Sequence, residues 1–466
     1  MSATFRIERD SMGEMQVPSD AYYAAQTARA VANFPISGHR LPRRFIAGLG
    51  LVKAAAARAN VALGLLPPER AAAIERAALE VAEGRFDDQF VVDVFQTGSG
   101  TSTNMNANEV IANRAIELLG GARGDHAVVH PNDDVNLGQS TNDVFPTALH
   151  VAALSGVETH LLPAMRRLAD ALARQARSFA DVVKAGRTHL QDAVPITLGQ
   201  EFSGYESVLR HDIVRVEQTR AHLSELAIGG TAVGTGLNAP PDFAARVVAE
   251  LRALTHQMFR RADNPFEAMQ NRDAAVELSG ALKVVAVGLM KIANDLRLLT
   301  SGPRTGLCEI TLPATQPGSS IMPGKVNPVI PEAVAMVAAQ VIGLDGAIAV
   351  AGLSGSLELN VMMPLIAYDL LECIEILGNA CGVLADKCVD GITADRDRCR
   401  EYAERSAAVV TALAPVIGYD AAAKIFKDSL DRDVPIRQAI RDAGVVAADQ
   451  LDALLDLTAL TRGGRA

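Results

Sequence analysis

Aromatic side chains are scarce in this 466-residue chain: they account for 4% of it, and tryptophan is absent, although 49% of the residues are hydrophobic. The hydrophobic share is largely alanine, leucine and valine. Such residues favour closely packed helices over a β-sandwich, which depends on aromatic and β-branched side chains. No convincing two-residue alternation of apolar and polar positions indicates a sheet. The composition therefore predicts an all-α fold.

Cysteine is rare in this chain, and its spacing does not indicate disulfide pairs. The five cysteines fall late in the chain, in an odd number, without CxxC spacing or a paired framework. This pattern predicts buried thiols in a reducing compartment rather than disulfides or metal ligands. The first ten residues, MSATFRIERD, lack the apolar run of a signal peptide. We therefore expect a cytoplasmic protein.

Blocks of lysine and arginine are also missing, and the formal net charge is −10. We therefore expect neither nucleic-acid nor membrane binding, and an anionic substrate would need local positive charge. The most apolar run follows Pro331 and is interrupted from Gln340 to Gly346 after about a dozen residues, fewer than the ~20 that span a bilayer. It is predicted to be a helix buried on every side.

The chain is longer than a single core usually requires, so several domains are expected. We predict an N-terminal helical domain at 1–139, a central domain of long helices at 140–391 and a small helical domain at 392–466. Residues 1–44 are expected to form an irregular arm with one short helix. The central helices are apolar nearly all round, which indicates packing against copies of the same chain. Long helices are predicted near 144–180, 197–226, 264–300, 328–354 and 357–389.

Polar residues are concentrated in four clusters, each next to a predicted long helix: 96–109, 130–143, 186–192 and 318–328. Seven hydroxyl or amide side chains between Thr97 and Asn106 exceed what a helix cap needs, and such groups at helix ends can bind anions. A single histidine before a helix, such as His189, is more often structural. A functional role for the cluster that contains His189 is supported because, like the other clusters, it lies next to a predicted long helix.

The cluster at 318–328 combines two hydroxyls, a lysine and an amide between glycines and prolines. A phosphate-binding loop needs four residues between its glycines and a hydroxyl after the lysine. Here five residues separate Gly318 from Gly324, and Val326 follows Lys325. We interpret the loop as a carboxylate site, and its apolar flank predicts that it does not lie on an open surface. The glycines of 229–236 do not follow a dinucleotide pattern and are predicted to form a tight connection.

Taken together, the clusters suit proton abstraction beside a carboxylate. They offer neutral hydrogen-bond donors and one lysine, without HExxH, Cys/His metal spacing or a GxSxG elbow. We therefore expect no metal and no cofactor. Proton removal next to a carboxylate yields a doubly charged aci-carboxylate, which backbone amides and Lys325 could stabilise. Loss of a leaving group would follow.

The segment GSSIMPGKVNP at 318–328 closely resembles the signature loop of the fumarase/aspartase superfamily, and the other clusters match that superfamily's conserved regions in the same order. The resemblance runs from about Phe5 into the C-terminal part. It implies an all-α, three-domain fold, a homotetramer with a central helix bundle, and active sites built from three subunits around a small dicarboxylate.

The resemblance also implies roles for individual residues. Ser319 would remove the C3 proton, Lys325 would hold a carboxylate with Asn327, and His189, oriented by Glu332, would handle the water. A serine hydroxyl is a weak acid, so loop amides and Lys325 would have to stabilise its alkoxide. The expected substrate-binding residues are Ser99, Gly100, Thr101, Ser140, Thr141, Asn142, Thr188, Ser320 and Asn327. An accessory carboxylate site is expected at His130, Pro131, Asn132 and Asp133, although Ala127–Val129 lacks the basic residues of some relatives.

The residues named so far are compatible with two reactions of the superfamily. One is the metal-independent, reversible hydration of fumarate to (S)-malate in the tricarboxylic acid cycle; the alternative is the release of ammonia from aspartate. Asp20–Tyr23 fits either reaction. Gln96–Gly100 (QTGSG), His130–Asp134 (HPNDD), Gly229–Thr231 (GGT) and Met363 favour hydration. A catalytically silent relative is disfavoured because the expected catalytic residues are all present, and a helical scaffold because self-assembly explains the apolar faces.

Overall fold

The computed structural model describes residues 4–464, and helices dominate it, as predicted. The helices of the first half are α1 Ala25–Asn33, α2 Arg43–Ala62, α3 Pro68–Ala82, α4 Thr101–Leu118, α5 Thr141–Gly156, α6 Leu162–Ser178, α7 Leu198–Gln218 and α8 Arg220–Leu223. Those of the second half are α9 Phe243–Thr255, α10 Pro265–Gln270, α11 Asp273–Leu299, α12 Val329–Leu353, α13 Met363–Lys387, α14 Arg396–Arg405, α15 Ala414–Ile417, α16 Tyr419–Asp431, α17 Ile436–Ala443, α18 Ala448–Leu454 and α19 Leu457–Leu460. A π-helical turn, Val157–Leu161, connects α5 to α6.

Four two-stranded sheets interrupt the helices between residues 4 and 464. The strands are β1 Phe5–Asp10, β2 Gly13–Pro18, β3 Val183–Thr188, β4 Gln191–Thr197, β5 Glu225–Leu226, β6 Arg260–Arg261, β7 Ile310–Thr311 and β8 Thr393–Ala394. The prediction that the chain contains no sheet is wrong for these short strands. The N-terminal arm, which was predicted to be irregular, contains the β1–β2 hairpin followed by α1. These strands escape the sequence pattern because they are short and mostly exposed, so few side chains alternate.

The chain forms two compact units, each made of three segments. The first unit comprises 1–163, 214–286 and 339–378, and the second comprises 164–213, 287–338 and 379–466. The division into three domains at 139 and 391 stays a prediction.

Small residues bring the helices of the first unit into close contact around α2, which packs against α3, α5 and α9. A Cβ added at Gly48 would lie 2.7 Å from the Ala148 carbonyl oxygen, and one at Gly50 would lie 2.7 Å from that of Ala78. Side chains at either position would therefore force the helices apart. The alanine-rich, aromatic-poor composition is explained by this packing.

Helix α12 agrees with the predicted range of 328–354 but differs from its prediction in burial. It continues for 25 residues through Gly343 and Gly346, since a glycine inside a helix costs only about 1 kcal/mol and does not end it. By length and composition alone, α12 and α2 could each cross a membrane, but 72% of the apolar window of α2 is buried inside the chain. In α12 the share is 28%, and Met336 and Val350 are exposed. Burial on every side is therefore wrong for the single chain.

A half-buried histidine makes the stability of the first unit sensitive to pH. The His150 ring on α5 lies 2.7 Å through Nδ1 from the Glu225 carbonyl oxygen and lines a cavity of about 100 Å³. Burial, and then the positive charge of Arg272, lower the pKa of His150 to about 4. The folded protein therefore holds this ring neutral at pH 5 to 7.

Acidification from pH 6.5 to 5 is expected to lower the free energy of unfolding by roughly 2 kcal/mol through His150. Its pKa in the folded state lies below the unfolded value of about 6.5, so this stability is complete above pH 6.5 and is lost as the pH falls towards 4. Urea unfolding at several pH values measures the effect. A His150→Gln variant should show a shallower pH dependence, and identical curves for both proteins would contradict the assignment.

Candidate active site

The residues expected to form the active site are divided between the two units. The first unit contains Ser99, Gly100, Thr101, Ser140, Thr141 and Asn142, together with the accessory residues His130 to Asp133. The second contains Thr188, His189, Ser319, Ser320, Lys325, Asn327 and Glu332.

The first polar cluster forms the start of α4 rather than a loop before it, because the helix begins at Thr101. Gly100 precedes it with φ of 83°, and a Cβ there would lie 2.1 Å from the Phe145 ring, so only glycine fits. The Ser99 and Thr101 hydroxyl oxygens are 2.9 Å apart. The structure thus brings Ser99, Gly100 and Thr101 together at a helix N-terminus, where backbone N–H groups favour anions.

The second cluster caps α5. The Ser140 hydroxyl accepts a hydrogen bond from the Asn142 N–H at 3.2 Å, and the Asp143 carboxylate accepts one from the Ser140 N–H at 2.9 Å. This is a reciprocal capping box. The Asn142 side-chain amide donates to the Ala232 carbonyl oxygen at 2.9 Å. Ser140, Thr141 and Asn142 are therefore held at a second helix N-terminus.

Asp143 fastens the glycine-rich connection at 229–236 to α5. Its Oδ2 accepts hydrogen bonds from the N–H groups of Gly229 and Thr231, each at 2.9 Å. Burial raises the pKa of Asp143 to about 6, and its three backbone N–H donors act in the opposite direction. The carboxylate is thus ionised at neutral pH, and the predicted tight connection packs beside the start of α5.

The signature loop is closed on itself by backbone contacts. The Gly318 N–H donates to the Lys325 carbonyl oxygen at 2.8 Å, and the Asn327 side chain donates to the Gly318 carbonyl oxygen. The Ser319 hydroxyl oxygen accepts hydrogen bonds from the N–H groups of Ile321, at 3.2 Å, and Met322, at 2.9 Å. This oxygen therefore sits where developing negative charge would be stabilised.

The loop is exposed in the single chain. Ser320 and Lys325 are exposed, as is the apolar side chain of Ile321, at 83%. The expectation that the loop avoids an open surface is therefore wrong for one chain, because none of residues 4–464 covers it.

The sequence suggested that His189 directly precedes a helix. In the structure, His189 instead lies at the tip of the β3–β4 hairpin. Thr188 pairs with Gln191, and the two residues between them, His189 and Leu190, have φ of 55° and 58°. This is the positive-φ geometry of a two-residue hairpin turn, usually occupied by asparagine and glycine. Strained backbone of this kind is concentrated at functional sites. Thr188 and His189 are both exposed.

A buried ion cluster fixes the base of this hairpin. The Glu309 carboxylate is 0% exposed; the Lys184 Nζ lies 2.9 Å from its Oε2, and the Arg187 guanidinium lies 2.9 Å from its Oε1. Lys184 also contacts the Glu201 carboxylate at 2.7 Å. Because Arg187 directly precedes Thr188 and His189, the cluster determines where the hairpin tip lies. Glu309 is not among the residues predicted from the sequence, where its only signal is a carboxylate between apolar residues.

Glu332, the expected partner of His189, lies half-buried in the first turn of α12. Among residues 4–464 of the single chain, no hydrogen bond or ion pair joins His189 to Glu332. Within the described part of the single chain, His189 and Glu332 therefore do not form the predicted pair.

The residues of the expected accessory site form hydrogen bonds with one another. The His130 ring accepts hydrogen bonds at Nδ1 from the N–H groups of Asn132, at 3.2 Å, and Asp133, at 3.1 Å. Arg70 pairs with Asp134 at 2.8 Å. Carboxylate binding at these residues stays a prediction. In the described part of the chain, no group of three or more His, Cys, Asp or Glu residues is arranged to hold a metal.

Comparisons with known proteins agree on one class. A family model described as lyase matches residues 13–343, and one described as fumarase C C-terminus matches 409–462. The crystal structure of class II fumarase from Schistosoma mansoni superposes with a TM-score of 0.96 at 39% identity, covering 98% of this chain and 99% of that one. A fumarate lyase:delta crystallin from Brucella melitensis, bound to cobalt, gives 0.94 at 49% identity, with 98% and 100% covered. The fold and the matched models define a lyase.

Proteins of similar sequence identify the family within the lyases. The class II fumarate hydratase of Mycobacterium tuberculosis is 54% identical over 466 residues, 99% of this chain and 97% of that protein. That of Ralstonia nicotianae is 52% identical over 450 residues, with 97% and 98% covered. The chain belongs to the class II fumarate hydratase family, which confirms the resemblance and does not favour the ammonia-lyase alternative.

Proposed function

We propose that this protein catalyses the reversible, metal-independent hydration of fumarate to (S)-malate in the tricarboxylic acid cycle. The observation that carries the proposal is the Ser319 hydroxyl oxygen held by the N–H groups of Ile321 and Met322, in a chain more than half identical to class II fumarate hydratases. The substrate is a small dicarboxylate.

In the dehydration direction, from malate to fumarate, the Ser319 alkoxide takes the C3 proton of malate, and the electron pair left on C3 is delocalised into the neighbouring carboxylate. The resulting aci-carboxylate is stabilised by Lys325, Asn327 and the loop amides. The electron pair then forms the C2–C3 double bond as the C2 hydroxyl leaves. His189, oriented by Glu332, protonates this hydroxyl so that it departs as water.

The remaining residues bind the carboxylates. Hydroxyls and backbone N–H groups at the starts of α4 and α5 donate to a dianion without adding full charges. We assign this role to Ser99, Gly100, Thr101, Ser140, Thr141 and Asn142, and also to Thr188 and Ser320.

We place the active enzyme in the cytoplasm as a homotetramer whose active sites each combine residues of three subunits. The exposed apolar face of α12, the exposed signature loop and the separation of His189 from Glu332 support this assembly. Size-exclusion chromatography with mass measurement tests it, and a stable, active monomer would contradict it.

Activity is tested by following the absorbance of the fumarate double bond, with malate and with aspartate supplied separately. Turnover of malate alone is expected, because the residues at 96–100 and 229–231 match hydratases. Ammonia release from aspartate without turnover of malate would replace the proposed reaction by ammonia elimination.

A further inference from the structure

A lysine is buried inside the first unit without a carboxylate partner. Lys53, on α2, is 0% exposed and forms no ion pair among the described residues. Its Nζ donates hydrogen bonds to two neutral amide oxygens, Oδ1 of Asn136 at 2.9 Å and Oε1 of Gln139 at 3.0 Å. None of the roles described above uses this residue.

The hydrogen bonds of Lys53 lead to the substrate-binding residues. The Asn136 oxygen also accepts a hydrogen bond from the Asn104 side-chain amide, at 3.2 Å. The same amide donates to the Thr141 hydroxyl oxygen, at 3.0 Å. Asn104 lies in the first turn of α4, and Thr141 is the first residue of α5. Lys53 is thus two side chains away from a residue that binds the substrate.

A buried cation without an anionic partner is expensive, whereas a neutral donor could make the same hydrogen bonds. Burial lowers the pKa of Lys53 to about 7, and the negative charge of Asp143 acts in the opposite direction. Asp143 is itself occupied by three backbone N–H groups. Lys53 and Asp143 therefore interact through their charges at a distance, and the direct partners of Lys53 are the two neutral amide oxygens. Its position behind two helix N-termini instead suits a dianion in front of them.

We propose that Lys53 is a positioning residue of the substrate site. Through Asn136 and Asn104 it orients the Thr141 hydroxyl, and its charge adds to the field of the α4 and α5 N-termini. It thereby favours binding of doubly charged over singly charged carboxylates. This inference rests on the proposed function, which places the dicarboxylate at these helix ends.

Three variants separate charge from hydrogen bonding. Lys53→Met removes both, Lys53→Gln keeps a neutral donor, and Lys53→Arg keeps the charge. Lys53→Met and Lys53→Gln are expected to raise KM for malate roughly tenfold, less than the loss of a direct ion pair, because two side chains lie between Lys53 and Thr141. The value of kcat should stay within about twofold, and Lys53→Arg should recover most of the affinity.

Inhibition by succinate and by butyrate provides the second readout. Loss of the charge should weaken inhibition by the dianion succinate about tenfold and inhibition by the monoanion butyrate much less. An unchanged KM in Lys53→Gln would overturn the charge role, as would equal weakening for both inhibitors. Thermal unfolding identifies a variant that fails to fold, and Lys53→Gln then replaces Lys53→Met. Wild-type protein inactive on malate would instead refute the proposed function.

Discussion

Replacing Ser319 with alanine is expected to lower kcat for malate by about 10²–10⁴-fold, the usual contribution of a positioned general base. The hydroxyl oxygen that two backbone N–H groups hold in place is then missing, so no group at this position can accept the C3 proton. Absorbance measures turnover, and exchange of the C3 proton with deuterium oxide, followed by NMR, measures proton removal directly.

Ser320 provides the matched control for this variant. It is the neighbouring hydroxyl, is exposed, and is assigned to binding, so Ser320→Ala should chiefly raise KM while exchange continues. Both variants should keep the wild-type oligomeric mass. Near-normal exchange in Ser319→Ala would remove Ser319 as the base.

Replacing Glu309 with alanine is expected to lower the free energy of unfolding by about 3–5 kcal/mol. The change leaves Lys184 and Arg187 buried without the carboxylate that lies within 3 Å of both. Urea unfolding measures the loss. Because Arg187 precedes Thr188 and His189, we also expect a lower kcat under conditions in which the variant remains folded.

Glu201→Gln is the control for charge loss at the edge of the same cluster. Glu201 contacts Lys184 at 2.7 Å, but its side chain is 24% exposed, so water can replace the interaction. We expect a loss of about 1 kcal/mol or less. Equal destabilisation by the two substitutions would show that Glu309 holds no special place in the hairpin.

The fold class and the helix positions were predictable because local patterns determine them. Phe45, Leu49 and Val52 recur at the three- and four-residue spacing of a helix and lie on α2, and Pro68 is the first residue of α3. The signature loop was recognisable because its glycines, prolines and lysine are contiguous in sequence. Its closure by Asn327 and the N–H donors on Ser319 are likewise local.

Interactions between distant residues were not predictable. Glu309 meets Arg187 across more than 100 residues, and no pattern in one sequence links them. The β3–β4 hairpin was missed because His189 and Leu190 are not residues that signal a turn. The burial of α12 was overestimated because apolar composition does not tell whether a helix is covered by its own chain.

The left-handed backbone at the tip of the β3–β4 hairpin has a consequence for protein engineering. Holding His189 and Leu190 at positive φ costs roughly 1–3 kcal/mol each, and Leu190 is 74% exposed, so glycine at position 190 would relieve strain without losing packing. A selection for heat resistance alone would therefore favour that change. It would also loosen the backbone beside His189, so thermostable variants should be sought with positions 189 and 190 held constant.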